Sequence, residues 1–208
     1  MDTDDGDTSD TSSDAYKRKV EKINASYESR KAAATREKGL IAVFTGNGKG
    51  KSTAAFGMAL RALQHGLKVG VVQYVKGAIA TAETEAFARF GSQIEWHRMG
   101  EGFHWITQDA ELDRKAAERA FECTQELMAR PGLGMLVLDE ILVALRLHQL
   151  DEQRVLDALA NKREDLHVVL TGRGATEAMI ERADLVTEMK LIKHPYRAGI
   201  RAQKGIEF

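Results

Sequence analysis

The run from Thr45 to Ser52, TGNGKGKS, places three glycines and two lysines between the apolar stretch LIAVF and the helix-like stretch STAAFGMALRAL. A strand, a glycine turn and a helix opening on Lys-Ser form an arrangement that can hold a polyphosphate. Gly46, Gly48 and Gly50 permit backbone angles closed to other residues and let peptide N–H groups approach phosphate oxygens with no Cβ between. A helix starting near Lys51 adds unsatisfied N–H groups and roughly half a positive charge at its N-terminus. Lys51 can reach the phosphates as a point charge, Lys49 is a second cation, and the Ser52 hydroxyl can ligate Mg2+. Counted from Gly46, the spacing is one residue short of GxxxxGK[ST], so Thr45 stands where that motif has its first glycine.

Two further stretches offer chemistry that fits a phosphate loop. MLVLDE delivers Asp139 and Glu140 at the end of an apolar run, where carboxylates can hold Mg2+ opposite bound phosphates. An acidic pair at that place also suits a simple helix start. TGRG at 171–174 repeats the pattern of strand, turn and helix and carries Arg173, whose guanidinium can grip a phosphate with two hydrogen bonds; the alternative there is an ordinary turn. Together these stretches describe a nucleoside triphosphate site with Mg2+. They do not say which bond breaks.

The elements that must position these residues alternate along the chain. Apolar runs at 40–44, 68–75, 93–98, 135–139, 166–171 and 185–192 read as strands. Helical patterns fall at 52–65, 82–90, 109–130, 151–161 and 175–183. Such alternation predicts a mostly parallel sheet covered by helices, with ligands bound at the carboxyl ends of the strands. Two loops, 76–81 and 99–108, break the rhythm at that end.

Before the first strand the composition changes twice. Residues 1–14 hold six Asp and no Lys or Arg, too polar to offset their ordering entropy, and are expected to form a disordered acidic tail. From Ala15 to Lys38, Tyr16, Val20, Ile23 and Tyr27 make one apolar stripe on a helical arm. That stripe could lie on its own domain or reach across a dimer. The rest, 39–208, reads as one domain.

Over its 208 residues the chain carries a net charge of −1, but without the acidic tail the remainder is at +5, a balance compatible with an anionic small ligand. There is no basic stripe interleaved with aromatics, so a nucleic-acid partner is not expected. No apolar run reaches membrane-span length and the N-terminus lacks the regions of a signal peptide, so the cytoplasm is the expected compartment. Cys123, the single cysteine, sits in a helical pattern and reads as a packed thiol with no internal disulfide to make.

GNGKGKSTAAFG, VGVVQYVKG, GEGFHWITQ, VLDE, LTGRG and the tail KHPYRAGIRAQKGIEF occur in an order that closely resembles the ATP:corrinoid adenosyltransferases of the CobA/CobO/BtuR family, over essentially residues 39–208. The resemblance implies a P-loop NTPase-like (RecA-like) fold. It also implies a homodimer that transfers the 5′-deoxyadenosyl group of ATP to the Co(I) of a corrinoid and releases triphosphate, with a flavoprotein as reductant.

By the same resemblance Gly46, Asn47, Gly48, Lys49, Gly50, Lys51 and Ser52 bind the triphosphate, with Arg61 and Arg173 near the phosphates. Ser52 stands where relatives usually carry Thr as a metal ligand, and Glu140 is the carboxylate ligand of Mg2+. Phe103 and Trp105 match an aromatic pair that displaces the lower axial base of the corrinoid, which makes cobalt easier to reduce. The helix before the domain matches the family's N-terminal arm and becomes a cap on the partner's site. Two departures stand out: AIATAE after Lys76-Gly77, where many relatives have Trp and a Gly before the Glu, and the acidic N-terminus. A bare phosphate loop would also fit an ATP hydrolase, a kinase, or a nucleotide-gated module that carries a corrinoid without alkylating it.

Overall fold

The computed structural model describes residues 10–75, 82–99 and 109–206, and the chain divides into two units, 1–37 and 38–208. The first unit holds one helix, α1 (Asp10–Ala33). It begins five residues before the expected start, so residues 10–14 are helical rather than part of a disordered tail. Ser13 and Asp14 suit the positively polarised first turns of a helix, which a reading based on overall polarity misses. Along this helix Tyr16, Ile23 and Tyr27 are exposed, and Val20 is half-buried. Residues 34–38, assigned to the helix from the sequence, continue without helical structure.

The second unit is an α/β domain built on one six-stranded sheet. Its strands are β1 (Ile41–Thr45), β2 (Lys68–Gln73), β3 (Ile94–Arg98), β4 (Leu133–Asp139), β5 (His167–Thr171) and β6 (Leu185–Glu188). They lie in the order β3-β2-β4-β5-β1-β6, and every pairing is parallel. The helices are α2 (Lys51–Gln64), α3 (Ala82–Phe87), α4 (Ala110–Ala129), α5 (Ile141–Arg146), α6 (Glu152–Ala160) and α7 (Glu177–Arg182), with 3-10 turns at Ala88–Gln93 and Pro195–Ala198. The short α5 is absent from the sequence reading, because six residues are too few to show a helical period. β6 stops at Glu188, four residues before the expected end.

Alternation along the strands assigns side chains to two cores. Ala42, Phe44, Val69, Val71, Met135, Val137 and Val169 face α2, which buries Ala55, Phe56, Ala59, Ala62 and Leu63 at helical spacing. Ile41, Val43, Leu136, Leu138, Val168 and Leu170 face the opposite layer, where Phe121 and Leu127 of α4, Leu142 of α5, Leu159 of α6 and Met179 of α7 pack. Truncating a fully buried leucine such as Leu136 to Ala would cost about 2–5 kcal/mol. β6 is exposed along its whole length and closes one edge. All strands therefore end on the same side, and that side carries the glycine turn, the Asp-Glu pair and TGRG.

Among the described residues no helix is long and apolar enough to cross a membrane.

Candidate functional site: a phosphate loop over a buried carboxylate

The glycine turn joins β1 to α2 through Gly46–Gly50. Gly46 and Gly50 take φ of +96° and +103°, angles that side-chain-bearing residues rarely adopt. Gly48 has a different reason to be glycine. Its N–H donates to the carbonyl of Met189 across 2.6 Å, and a Cβ there would sit 2.7 Å from Met189 O and 2.8 Å from Lys190 O. The loop is thus seated on the backbone that follows β6.

α2 opens without a side-chain cap, its N-cap being Gly50, whereas α4, α6 and α7 are capped by Asp109, Asp151 and Thr176. The N–H groups of its first turn are left for a ligand, and the helix dipole favours an anion. Lys51, only 6% exposed, folds back so that Nζ donates to Gly46 O at 2.9 Å and Gly48 O at 2.7 Å. Burial pushes its pKa below the ordinary lysine value; Glu140 and Asp139 oppose the shift, while Arg173 and Lys49 add to it.

Thr45, which replaces the first glycine of the usual motif, is buried and accepts a hydrogen bond from Ala175 N at 3.2 Å. It joins the glycine turn to the TGRG turn. Gly172 at φ +142° lies so close beneath α5 that a Cβ would meet Leu142 Cβ at 2.7 Å, and this tight turn carries Arg173 to the site.

Asp139 is fully buried at the end of β4. Its Oδ1 accepts from Ser52 Oγ at 2.7 Å and from Thr171 Oγ1 at 2.9 Å, and its Oδ2 accepts from Gln73 Nε2 at 3.0 Å. Glu140 follows with φ 63° and ψ 19°, a left-handed conformation in which a non-glycine residue costs on the order of 1–2 kcal/mol. The hydrogen bond from its N–H to Thr171 Oγ1, 2.8 Å, helps to hold that geometry.

A cavity of about 480 Å³ opens over the turn and brings together Lys49, Lys51, Ser52, Glu140 and Arg173. Gly48 and Gly50 line it as well. Asn47 is exposed and Gly46 is half-buried, and neither contributes to the lining. Arg61 is not brought to this cavity: it lies in the last turn of α2, about 15 Å along the axis from Lys51 at 1.5 Å per residue. Phe103 and Trp105 lie outside the described residues, as does the loop 76–81.

Sequence reasoning missed two walls of the cavity. Ala82, Glu83 and Ala86 of α3 form one, and Gly205 and Ile206 of the C-terminal segment another. The tail KHPYRAGIRAQKGIEF carried the resemblance, but no phosphate-binding pattern in it marks a site.

The donor set fits a hard cation. Ser52 and Glu140 both line the cavity, and a hydroxyl and a carboxylate are oxygen donors of the kind that suits Mg2+. Among the described residues no group of three or more His, Cys, Asp or Glu side chains could hold a metal alone, so such an ion needs the phosphates of a nucleotide to complete its shell.

An all-parallel α/β sheet with this turn, this buried aspartate and this basic cavity defines a P-loop nucleotide-binding protein. Comparison with known proteins narrows the class. A family model described as ATP:corrinoid adenosyltransferase BtuR/CobO/CobP matches residues 37–208. A corrinoid adenosyltransferase of Pseudomonas aeruginosa is 49% identical over 193 residues, covering 93% of this chain and 95% of its own. One from a Sinorhizobium species is 50% identical, covering 91% and 90%, and one from Escherichia coli K12 is 38% identical, covering 95% and 100%. The chain belongs to the ATP:corrinoid adenosyltransferase family, enzymes with ATP and a corrinoid as substrates.

Proposed function

We propose that this chain transfers the 5′-deoxyadenosyl group of ATP to the Co(I) of a corrinoid. The cobalt electron pair forms the Co–C5′ bond, the C5′–O bond breaks with its pair going to oxygen, and triphosphate leaves. Co(I) is itself a strong nucleophile, so no side-chain base is needed; the protein's task is to stabilise the leaving group. The observation that carries the reading is the convergence of Lys49, Lys51, Arg173 and the uncapped start of α2 on one cavity. Donors fixed before the reaction stabilise charge as it develops on the triphosphate.

Mg2+ would be held by Ser52 and Glu140 and would supply further neutralisation of the phosphate oxygens. The hydrogen bond from Ser52 to Asp139 commits the hydroxyl proton to the carboxylate, so a lone pair of Oγ would remain to serve such an ion. Phe103 and Trp105 expel the corrinoid's lower axial base, and a flavoprotein in the cytoplasm delivers the electron that takes Co(II) to Co(I). The enzyme works as a homodimer in which α1 caps the partner's site. A chain lacking residues 1–37 should bind corrinoid more weakly or lose the dimer in sedimentation; unchanged behaviour in both would remove α1 from the account.

The phosphate products test the reaction type. Triphosphate in phosphorus NMR is expected in step with corrinoid alkylation. ADP and inorganic phosphate in its place would make the chain an ATP hydrolase or kinase.

A further inference from the structure

Gln73 ends β2 in register with Asp139 of β4 on one side and Arg98 of β3 on the other. Its side chain is 1% exposed and hydrogen-bonded at both ends of the amide. Oε1 accepts from the Trp96 indole N–H at 2.8 Å, and Nε2 donates to Asp139 Oδ2 at 3.0 Å. An indole N–H can only donate, so Oε1 must face Trp96, which leaves Nε2 to donate to Asp139. Trp96 therefore fixes Gln73, Gln73 holds one oxygen of Asp139, and the other oxygen accepts from Ser52.

The Trp96 ring also packs against side chains of the two helices whose other residues line the cavity. Its centroid lies 5.1 Å from that of Phe56, one helical turn beyond Ser52 on α2. It lies 5.7 Å from that of Phe87 on α3, the helix whose Ala82, Glu83 and Ala86 line the cavity. One indole thus links α2, α3 and the buried aspartate.

We propose that Trp96 and Gln73 are positioning residues for the metal seat: they orient Asp139, and through it the Ser52 hydroxyl, and they couple that orientation to the α3 wall. The proposal rests on the reading of the cavity as a Mg2+–nucleotide site. It requires no corrinoid chemistry, so it can be tested apart from the transfer reaction. Neither residue lines the cavity. Their contribution should appear in how the site takes the metal rather than in nucleotide affinity as such.

The test is titration of the intact protein with Mn2+ in the presence of a non-hydrolysable ATP analogue, followed by electron paramagnetic resonance. Trp96→Phe keeps an aromatic ring in the cluster and deletes the indole donor. It should weaken metal binding about threefold to tenfold, less than the ~10–100-fold typical of residues that hold a ligand directly. Gln73→Met, which removes both hydrogen bonds, should weaken it further, while analogue affinity without metal stays near wild type. Phe56→Leu perturbs the same aromatic packing but leaves the hydrogen-bonded chain in place; it should lower the melting temperature and leave metal affinity unchanged. The proposal is overturned if Trp96→Phe binds Mn2+ as the wild type does, or if Phe56→Leu weakens the metal equally. Failure of the wild type to bind Mn2+ with the analogue would instead strike at the reading of the cavity itself.

Discussion

Ser52 Oγ donates to Asp139 Oδ1 across 2.7 Å, and Asp139 is completely buried. The aspartate reaches the cavity through the serine, and Glu140, which lines the cavity, is the proposed carboxylate ligand. Ser52→Ala and Glu140→Gln should each raise the Mg2+ concentration needed for half-maximal activity by about 10–100-fold. Activity measured against Mg2+ at saturating ATP checks this. An unchanged requirement in Glu140→Gln would transfer the ligand role to another group.

Lys51→Ala removes a charge-assisted contact to the phosphates worth ~1.5–3 kcal/mol, so kcat/KM for ATP should fall about tenfold to a hundredfold in a folded protein. The same lysine predicts an alkaline limit. It must be cationic to hold phosphate, and burial lowers its pKa in the free enzyme, so kcat/KM for ATP should decline with rising pH before the ordinary lysine value of 10.5 is reached. A flat profile up to that pH, with stability intact, would separate Lys51 from binding.

Gly48→Ala would drive a Cβ into the carbonyls of Met189 and Lys190, at 2.7 and 2.8 Å. The backbone must move, at a cost of about 1–3 kcal/mol, and for a chain of this size each kcal/mol lowers Tm by roughly 2–4 °C. Calorimetry should show that drop together with weaker ATP binding. Normal melting and normal binding would mean that the segment after β6 does not support the loop.

Phe103→Ala combined with Trp105→Ala should impair the reaction that starts from Co(II) and a protein reductant. It should impair much less the reaction supplied with Co(I), which has little affinity for an axial base. Spectroscopy of cob(II)alamin with ATP should show a four-coordinate species in the wild type and mainly a five-coordinate one in the double variant. Equal losses in both assays, with normal corrinoid binding, would assign the aromatics to the transfer step.

The parts of the site that could be read from the sequence are those encoded by neighbouring residues. TGNGKGKS, VLDE and TGRG each announce a turn and its side chains, and the cavity gathers Lys51, Ser52, Glu140 and Arg173 from these three stretches. Arg61 shows the opposite case: helix geometry moves it to the far end of α2, which a linear motif does not reveal. The bond from Gln73 to Asp139 depends on two strands 66 positions apart pairing in one register, and the seat of Gly48 on Met189 depends on another such pairing. Neither leaves a local pattern. The six-residue α5 and the early start of α1 escaped because short or polar helices carry almost no apolar period.

The most direct measurement is anaerobic incubation of the protein with ATP, Mg2+ and chemically reduced cobalamin, followed by visible absorption. The account predicts growth of an alkylcobalamin spectrum that bleaches in light, with one triphosphate released per Co–C bond formed, and a much slower rate in Lys51→Ala. ATP consumed to ADP and phosphate with no alkylcobalamin, or a folded protein that leaves both substrates untouched, would contradict it.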